Sequence, residues 1–300
     1  MARISKYRLM RGLLKRRAIR KIAWNFIRII KKRDFTAFQH NIRLTASQSI
    51  FNHAAQCADQ IVNTLELEGA VMGPALPEKH VEYLVEFAKN NPCYADRVKS
   101  QGFYLHDREA AEQKLGKKLL LAQYYNVHKD PLIGSLSQDP FLLSVAAKYL
   151  QTPPKLMSIN MWWTFPVEAS QEDKAKHAHV FHYDLDDVKF VKFFFYLTDV
   201  DEGAGPHVYV KGSNKEIKYK NALFKSKRFT DQEISEAYGE ENIIHVYGKA
   251  GACLIEDTIT LHKGITPSQT PRLILQFEYS INTYSEISCA TNESECKIFV

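Results

Sequence analysis

The sequence predicts an α+β protein in which a helical first half precedes a mainly β second half. Up to about residue 150, apolar residues mostly recur at helical spacing, and Asp139-Pro140 has the residue types of a helix start. After Pro153, short segments rich in aromatic and β-branched residues are separated by Gly, Pro or Asp. Several such strands at close spacing favour a sandwich or a barrel.

The composition indicates an ordinary globular protein. The chain has 300 residues, 45% of them hydrophobic and 25% charged, so it can bury a sizeable core. No apolar run is long enough to predict a membrane span, and no secretory signal is visible. The five cysteines form no Cys-x-x-Cys pair, which favours free thiols in a reducing compartment. We expect a cytoplasmic protein, with a peripheral membrane location as the alternative.

The net charge of +6 hides a strong asymmetry. Residues 1–33 contain 13 Lys or Arg and no Asp or Glu, which leaves 27 basic and 34 acidic residues, a net of −7, for the remainder. Because the basic charge is confined to one segment, it is weak support for a nucleic-acid-binding fold. No specific nucleic acid is therefore expected as a partner.

Residues 1–35 are predicted to form a basic amphipathic segment ahead of a single domain at residues 36–300. Five apolar residues follow helical spacing and form one stripe: Ile19, Ile22, Ala23, Phe26 and Ile30. Such a helix suits an anionic membrane surface or an anionic carrier. A surface helix packed on the body explains the same pattern, and both interpretations remain open.

The segment FHYDLDD carries the sharpest local signal for chemistry. His182 and Asp184 are two residues apart, so on a strand they point to the same face and can converge on one metal ion. His262, in ACLIEDTITLHKG, offers a third ligand. Two imidazoles and one carboxylate on one face of an octahedron leave three positions open, as in non-haem Fe(II) oxygenases. A structural zinc site would usually be closed by four protein ligands.

Other histidines compete with this interpretation, because the chain contains 11 of them. His177 and His179 form a neighbouring His-x-His pair, but polar residues surround them and predict a loop. His207 and His245 lie in strand-like segments and are predicted to be structural, packed or hydrogen-bonded. From these residues alone, an iron site and a chance pairing remain open.

Arg272 stands ten residues after His262, at the head of the strand-like segment RLILQFEYS. A guanidinium binds a carboxylate through two parallel hydrogen bonds. If a metal chelates one end of a dicarboxylic keto acid, Arg272 can hold the other end, and Thr266 or Ser268 can add a hydroxyl. A surface arginine at a strand end explains Arg272 equally well.

Two long segments resemble the phytanoyl-CoA dioxygenase family. They are FHYDLDDVKFVKFFFYLTDVDEGAGPHVYVKGSNK and AGACLIEDTITLHKGITPSQTPR, and the resemblance covers residues 155–280. LELEGAVMGPALPEKHVEYL looks like the family's opening strand and helix, and DPFLLSVAAKYLQTPPKLMSINMWW looks like the elements that lead into its core. Asn214 departs from the His that many relatives carry in this turn, a change expected to alter turn chemistry only.

The resemblance implies a double-stranded β-helix, or jelly roll, with helices packed outside. It implies Fe(II) bound by His182, Asp184 and His262, and 2-oxoglutarate held by Arg272 with help from Thr266. It also implies that one face of a strand lines the co-substrate pocket: Lys192, Phe194 and Tyr196.

The same resemblance implies an oxidoreductase, a dioxygenase that also consumes O2. Related halogenases replace the carboxylate ligand with a small residue, so Asp184 favours hydroxylation. The substrate is not predicted beyond a small-molecule, lipid-linked or carrier-linked compound, and the oligomeric state is not predicted. Six residues are candidates for the cavity mouth: Tyr124, Tyr125, Asn160, Trp162, Trp163 and Thr164. The aromatic ones among them are equally good core residues. The alternatives are a non-catalytic metal-binding jelly roll and a membrane-surface adaptor that acts through the basic N-terminus.

Overall fold

The computed structural model describes residues 6–51, 57–215, 218, 228–284 and 290–300. The first five residues of the predicted basic segment, and Cys289, lie outside these ranges. Among the described residues, no helix combines the length and the apolar character needed to cross a bilayer. The boundary predicted after residue 35 falls within a helix.

Ten α-helices are found in the described ranges, and most of them precede the β-rich half. They are α1 (Lys6–Leu13), α2 (Arg17–Ile30), α3 (Lys32–Leu44), α4 (Ala58–Glu68), α5 (Glu78–Asn90), α6 (Arg108–Leu115), α7 (Pro131–Leu136), α8 (Pro140–Leu150), α9 (Gln171–Lys176) and α10 (Asp231–Tyr238).

Thirteen β-strands are found in the same ranges. They are β1 (Ala70–Gly73), β2 (Cys93–Ala95), β3 (Gly102–Phe103), β4 (Leu121–Tyr124), β5 (Lys155–Thr164), β6 (Phe181–His182), β7 (Phe190–Tyr196), β8 (His207–Val210), β9 (Arg228–Phe229), β10 (Ile243–Val246), β11 (Cys253–Glu256), β12 (His262–Gly264) and β13 (Arg272–Ser280).

The strands form two antiparallel sheets. The larger has the order β1-β11-β7-β13-β5-β4-β2-β3, and the smaller has the order β10-β8-β12-β6-β9. Side chains of both sheets meet in one apolar cluster, which includes Phe194 and Ile274 of the large sheet and Tyr209 of the small one. The predicted α+β class, with a two-sheet core and helices outside, is confirmed.

The outer face of the large sheet packs on the helices. Phe193 and Phe195 of β7 belong to the same core cluster as Phe141 and Val145 of α8. The predicted start of α8 is confirmed, since the Asp139 carboxylate accepts a hydrogen bond of 2.8 Å from the Phe141 N–H and Pro140 is the first helical residue. Strand alternation thus assigns one face of β7 to the helices and the other to the space between the sheets.

The register of the large sheet sets the floor of that space. On β13, residues 272, 274, 276 and 278 share the inner face. Their neighbours on β5 and β7 form three rows: Trp162, Ile274 and Tyr196; Asn160, Gln276 and Phe194; Ser158, Glu278 and Lys192. The floor therefore changes from largely apolar to charged along the strands.

Candidate metal and co-substrate site

The three predicted ligands meet on the smaller sheet. His182 at the end of β6 lies directly opposite His262 at the start of β12 in an antiparallel pair. The chain leaves the strand after His182. The Asp184 N–H then donates a 2.7 Å hydrogen bond to the Thr258 carbonyl, and this bond holds the Asp184 carboxylate beside the two imidazole rings. The Asp184 oxygens lie 3.9 Å from His182 Nε2 and 3.7 Å from His262 Nε2. One potential ligand atom of each residue lies within 4.8 Å of the others.

Backbone carbonyls fix both imidazoles in the orientation that a metal requires. His182 Nδ1 lies 3.0 Å from the Val180 carbonyl oxygen, and His262 Nδ1 lies 2.8 Å from that of Thr260. Because a carbonyl only accepts hydrogen bonds, each Nδ1 carries the proton and each Nε2 offers its lone pair. Burial, followed by the charge of His262, holds the pKa of His182 well below its usual range, so this ring is neutral, the form that binds a metal.

The donor set fits Fe(II) with half of its coordination sphere open. Two imidazoles and a carboxylate, without thiolate, form the facial arrangement of non-haem iron sites. Within the described ranges, no fourth His, Cys, Asp or Glu joins this cluster.

Lys192 lies under the metal ligands and pairs with carboxylates. Its Nζ donates hydrogen bonds of 2.9 Å to Asp184 and 3.0 Å to Asp186, and lies 3.9 Å from Glu278. Burial opposes the charged ammonium, but the three carboxylates outweigh it and hold the pKa of Lys192 well above its usual range. Although burial raises the pKa of Asp184, Lys192 and the two imidazoles lower it far more, so Asp184 is a carboxylate.

His207 lies behind His262. Their rings stack with centroids 5.6 Å apart, and His207 Nε2 is 2.8 Å from Glu256, a carboxyl group with no exposed surface. Burial raises the pKa of Glu256 to about 8, whereas burial together with the charge of Arg272 lowers that of His207 to about 3. This pair is therefore uncharged near neutral pH. His245, in contrast, is exposed on β10 and stacks on Tyr247.

Arg272 is a buried cation without a complete set of partners. Only 3% of its surface is exposed, and its Nε and Nη1 have no hydrogen-bond partner among the described residues. A Cβ at Gly264 would lie 3.3 Å from Arg272 Nη2, so the glycine leaves room for the guanidinium. Arg272 and the three metal ligands line the same cavity, whose volume is about 570 Å³.

Thr266 and His179 lie beside Arg272. His179 Nδ1 is 2.7 Å from Thr266 Oγ1, and its ring lies against Gly264. Burial, followed by the charge of Arg272, lowers the pKa of His179 to about 3, so this ring is neutral. The predicted loop after α9 therefore supplies a cavity wall that sequence reasoning missed, since polar neighbours gave no sign of burial.

Lys192 and Phe194 line the cavity, but Tyr196 is not among the described lining residues. The Tyr196 hydroxyl donates to the Val246 carbonyl at 2.9 Å and accepts from the His207 N–H at 3.1 Å. Tyr196 thus influences the site through its hydrogen bond with the backbone N–H of His207.

The six mouth candidates divide into two groups. Tyr125, Asn160 and Trp162 line the cavity. The other three belong to the interior of the fold, because Trp163 Nε1 donates to the Tyr124 hydroxyl at 2.9 Å and Thr164 has no exposed surface. Of the two interpretations left open for the aromatic candidates, Tyr124 and Trp163 follow the core one, and for Trp163 the cause is strand alternation. Thr164 does not line the cavity either.

A chain of polar side chains crosses the cavity floor toward Lys192. The Asn160 amide donates to the Ser158 hydroxyl at 3.2 Å, and that hydroxyl donates to Glu278 at 2.9 Å. The second oxygen of Glu278 is buried and has no hydrogen-bond partner among the described residues. Glu278 was not predicted from the sequence as a cavity residue, although its even spacing from Arg272 on one strand places both residues on one face.

Comparisons with known proteins agree with this geometry. A family model described as phytanoyl-CoA dioxygenase (PhyH) matches residues 97–272. Among solved structures, HygX from Streptomyces hygroscopicus, with nickel and 2-oxoglutarate bound, is similar at 15% identity and a TM-score of 0.52, over 74% of this chain and 86% of that one. EctD from S. alaskensis, with bound Fe, is similar at 15% identity and a TM-score of 0.50, over 76% of this chain and 78% of that one.

A search of curated proteins found no match. At these identities the solved structures establish the shared jelly-roll fold, and the family match supports an oxidoreductase of the oxygenase class. The matched region extends from the cavity mouth to Arg272 and covers more than half of the sequence. This chain belongs to the phytanoyl-CoA dioxygenase family.

Proposed function

We propose that this protein is an Fe(II)- and 2-oxoglutarate-dependent dioxygenase that hydroxylates a small-molecule, lipid-linked or carrier-linked substrate. One observation carries the proposal. His182, Asp184 and His262 converge within 4.8 Å in the cavity where two guanidinium nitrogens of Arg272 lack hydrogen-bond partners among the described residues. A metal ion would bind the three ligands, and a dicarboxylic acid bound to that metal would pair with the guanidinium.

His182, Asp184 and His262 would hold the iron on one face. When bound, the iron supplies the redox chemistry by which O2 oxidises both 2-oxoglutarate, to succinate and CO2, and the substrate, to its hydroxylated product. The metals and 2-oxoglutarate named in the HygX and EctD structures support the same assignment here. The protein's own task is to orient the reactants and to exclude water.

Arg272 would bind the distal carboxylate of 2-oxoglutarate through its unpaired nitrogens. Thr266 would add a hydroxyl next to it, since His179 holds that hydroxyl in place. Lys192 was predicted to contact the co-substrate, but its hydrogen bonds to Asp184 and Asp186 favour a role in orienting the carboxylate ligand. Tyr196 would act indirectly, through the His207 N–H.

The polar floor favours a substrate that carries hydrogen-bonding groups, because Glu278 has a buried oxygen without a partner among the described residues. The protein is proposed to be cytoplasmic, with residues 1–33 in peripheral contact with an anionic membrane or carrier.

Anaerobic titration with Fe(II) and 2-oxoglutarate tests the metal site and the co-substrate site together. We expect the weak visible charge-transfer band of the chelate with the wild-type protein and its loss in Asp184→Ala. Asp199→Ala is the matched control, because Asp199 is an exposed carboxylate that pairs with Lys249, and this variant should keep the band. An Asp184→Ala protein that still coupled 2-oxoglutarate turnover to hydroxylation would refute the ligand assignment.

Succinate release separates the enzyme from the alternatives. Metal binding without the chelate band, and without succinate, would instead indicate a non-catalytic metal-binding jelly roll. Failure to bind metal at all, combined with vesicle binding, would indicate an adaptor that acts through the N-terminal segment.

A further inference from the structure

Helix α2 exposes apolar side chains and buries a charged one. Ile22, Phe26, Ile29 and Ile30 expose between 61% and 70% of their surface, whereas the only buried residue of this helix is Arg20. The four exposed residues lie on one side of the helix, at spacings of four, three and one. We call them the α2 stripe. A surface helix in water normally has the opposite arrangement.

The other side of α2 is already anchored on the protein body. The Trp24 indole N–H donates a 2.9 Å hydrogen bond to the Leu150 carbonyl at the end of α8, and Lys189 lies over the Trp24 ring at 4.2 Å. Ala23 and Ile27 pack against the main core. The α2 stripe therefore faces outward in the docked helix, and the described part of the body leaves it exposed.

The charge around the stripe is of one sign. Residues 1–33 contain 13 Lys or Arg and no acidic residue, and α2 itself contains none. The first acidic residue, Asp34, pairs with Lys31 in an exposed contact of 3.2 Å. A helix that combines an exposed apolar stripe with only basic charges matches the two layers of an anionic bilayer surface, since the stripe enters the acyl boundary and the cations meet the headgroups. A nucleic acid would use the cations but leave the stripe exposed.

The same N-terminal region reaches the wall of the active-site cavity. The Tyr7 hydroxyl of α1 donates a 3.1 Å hydrogen bond to Asp186, whose other oxygen accepts from Lys192. Asp186 lines the cavity, and Lys192 also holds Asp184. A surface seated on α1 and α2 would therefore lie on elements that directly contact the site.

We propose that α1 and α2 form a peripheral membrane-binding surface for anionic lipid, with the α2 stripe inserted among the headgroups. The occupant is the bilayer itself, not a soluble carrier of the same charge. This surface goes beyond the proposed oxygenase activity and does not depend on it, because none of the stripe residues lines the active-site cavity.

Co-sedimentation of the full-length chain with vesicles tests the proposal. Vesicles of phosphatidylcholine containing about one quarter phosphatidylserine are compared with pure phosphatidylcholine at about 0.1 M salt, where surface charges act over roughly 10 Å. We expect binding to the anionic vesicles and at least about tenfold weaker binding to the neutral ones. Equal binding to both, or no binding to the anionic vesicles, would overturn the proposal.

The triple variant Ile22→Ser, Phe26→Ser, Ile30→Ser removes most of the stripe. We expect its affinity for anionic vesicles to fall at least about tenfold, because burial of each large side chain contributes to insertion. Leu67→Ser is the matched control, since Leu67 is 60% exposed on α4 and lies outside the stripe. Circular dichroism confirms that both variants fold, and the Fe(II) and 2-oxoglutarate titration should be unchanged in both.

Three further outcomes identify a different occupant. Retention of vesicle binding by the triple variant would assign the contact to charge alone. A concentration-dependent dimer that the triple variant loses, without vesicle binding, would assign the stripe to a second copy of the chain. Binding of soluble inositol hexakisphosphate without any binding to anionic vesicles would favour a carrier. Each result contradicts the membrane proposal and leaves the oxygenase test unaffected.

Discussion

Two buried cations lie on the same sheet and line the same cavity, yet their surroundings differ completely. Lys192 of β7 is surrounded by Asp184, Asp186 and Glu278 at 2.9 to 3.9 Å. Arg272 of β13 is buried to a similar extent, but two of its nitrogens have no hydrogen-bond partner among the described residues.

The difference supports the proposed division of roles, in which Lys192 serves the fold and Arg272 serves a ligand. A buried charge is costly unless it is paired, so a protein that keeps an unpaired one gains something else from it. Lys192 offsets the carboxylates that must stand close together near the metal. Under the proposed function, Arg272 keeps its hydrogen-bonding capacity for the distal carboxylate of the co-substrate.

Replacement of Lys192 should therefore give the largest loss of stability. Lys192→Met leaves the carboxylates of Asp184 and Asp186 without their shared cation, and breaking a buried pair in this way costs about 3–5 kcal/mol. Urea unfolding without metal measures the loss, and Fe(II) should restore part of it by neutralising Asp184. Lys189→Met is the control, because its ion partner Glu66 is 49% exposed, and we expect a clearly smaller effect. Equal losses in the two variants would contradict the structural role of Lys192.

Replacement of Arg272 should affect co-substrate binding and leave stability unchanged or improved. Arg272→Leu removes a charge that is uncompensated in the folded protein, so the free energy of unfolding should not fall. The KM for 2-oxoglutarate should rise about a hundredfold, because charge-assisted hydrogen bonds contribute about 1.5–3 kcal/mol each.

Steady-state kinetics with Arg272→Lys sharpen this prediction. Lysine keeps the charge but loses the two-pronged geometry, so its KM should fall between the wild-type and leucine values. A KM for 2-oxoglutarate that does not change in either variant would mean that another residue binds the co-substrate.

Asp96 offers a third test, next to His177, which lines the cavity. Burial raises its pKa, but contacts with His177, at 3.3 Å, and with Lys117 outweigh this effect and hold the pKa well below its ordinary value of 3.8. Because the folded pKa is the lower one, the stabilisation is complete above the unfolded pKa and is lost as pH falls below it. Asp96→Asn should reduce stability by about 1–3 kcal/mol at neutral pH.

Thermal or urea unfolding across pH measures this effect. The difference between wild type and Asp96→Asn should shrink steadily below about pH 4. A difference that does not depend on pH would show that the loss comes from packing and not from the charged carboxylate.

Replacement of Asn214 should have the smallest effect on the free energy of unfolding. It was expected to alter only its own turn, but its amide donates hydrogen bonds of 3.4 and 3.3 Å to the Leu65 and Glu66 carbonyls, near the end of α4. Asn214→Ala should lower the free energy of unfolding by about 1 kcal/mol. Urea unfolding checks this value, and Asn90→Ala, which removes an exposed bond within one helix, should cost less. A loss no larger than that of Asn90→Ala would mean that Asn214 affects only its turn.

The sequence by itself predicted the α+β class, the start of α8 and the residues that converge as His182, Asp184 and His262. These features follow from local spacing, or from motifs whose order along the chain identifies a family. Alternation on one strand also placed Lys192, Phe194 and Tyr196 on a common face. Lys192 and Phe194 line the cavity, whereas Tyr196 is not among its described lining residues.

Only the tertiary structure decided which side chains are buried and which residues they contact. Periodicity shows that Ile22, Phe26 and Ile30 share a side of a helix, but whether that side faces the core depends on Trp24 docking against Leu150, which is 126 residues away. The hydrogen bond partner of the buried Trp163 indole was decided in the same way, because Tyr124 lies 39 residues away. A pattern along the chain fixes the direction of a side chain relative to its neighbours, whereas its burial and its charge partners are fixed by segments that meet only after folding.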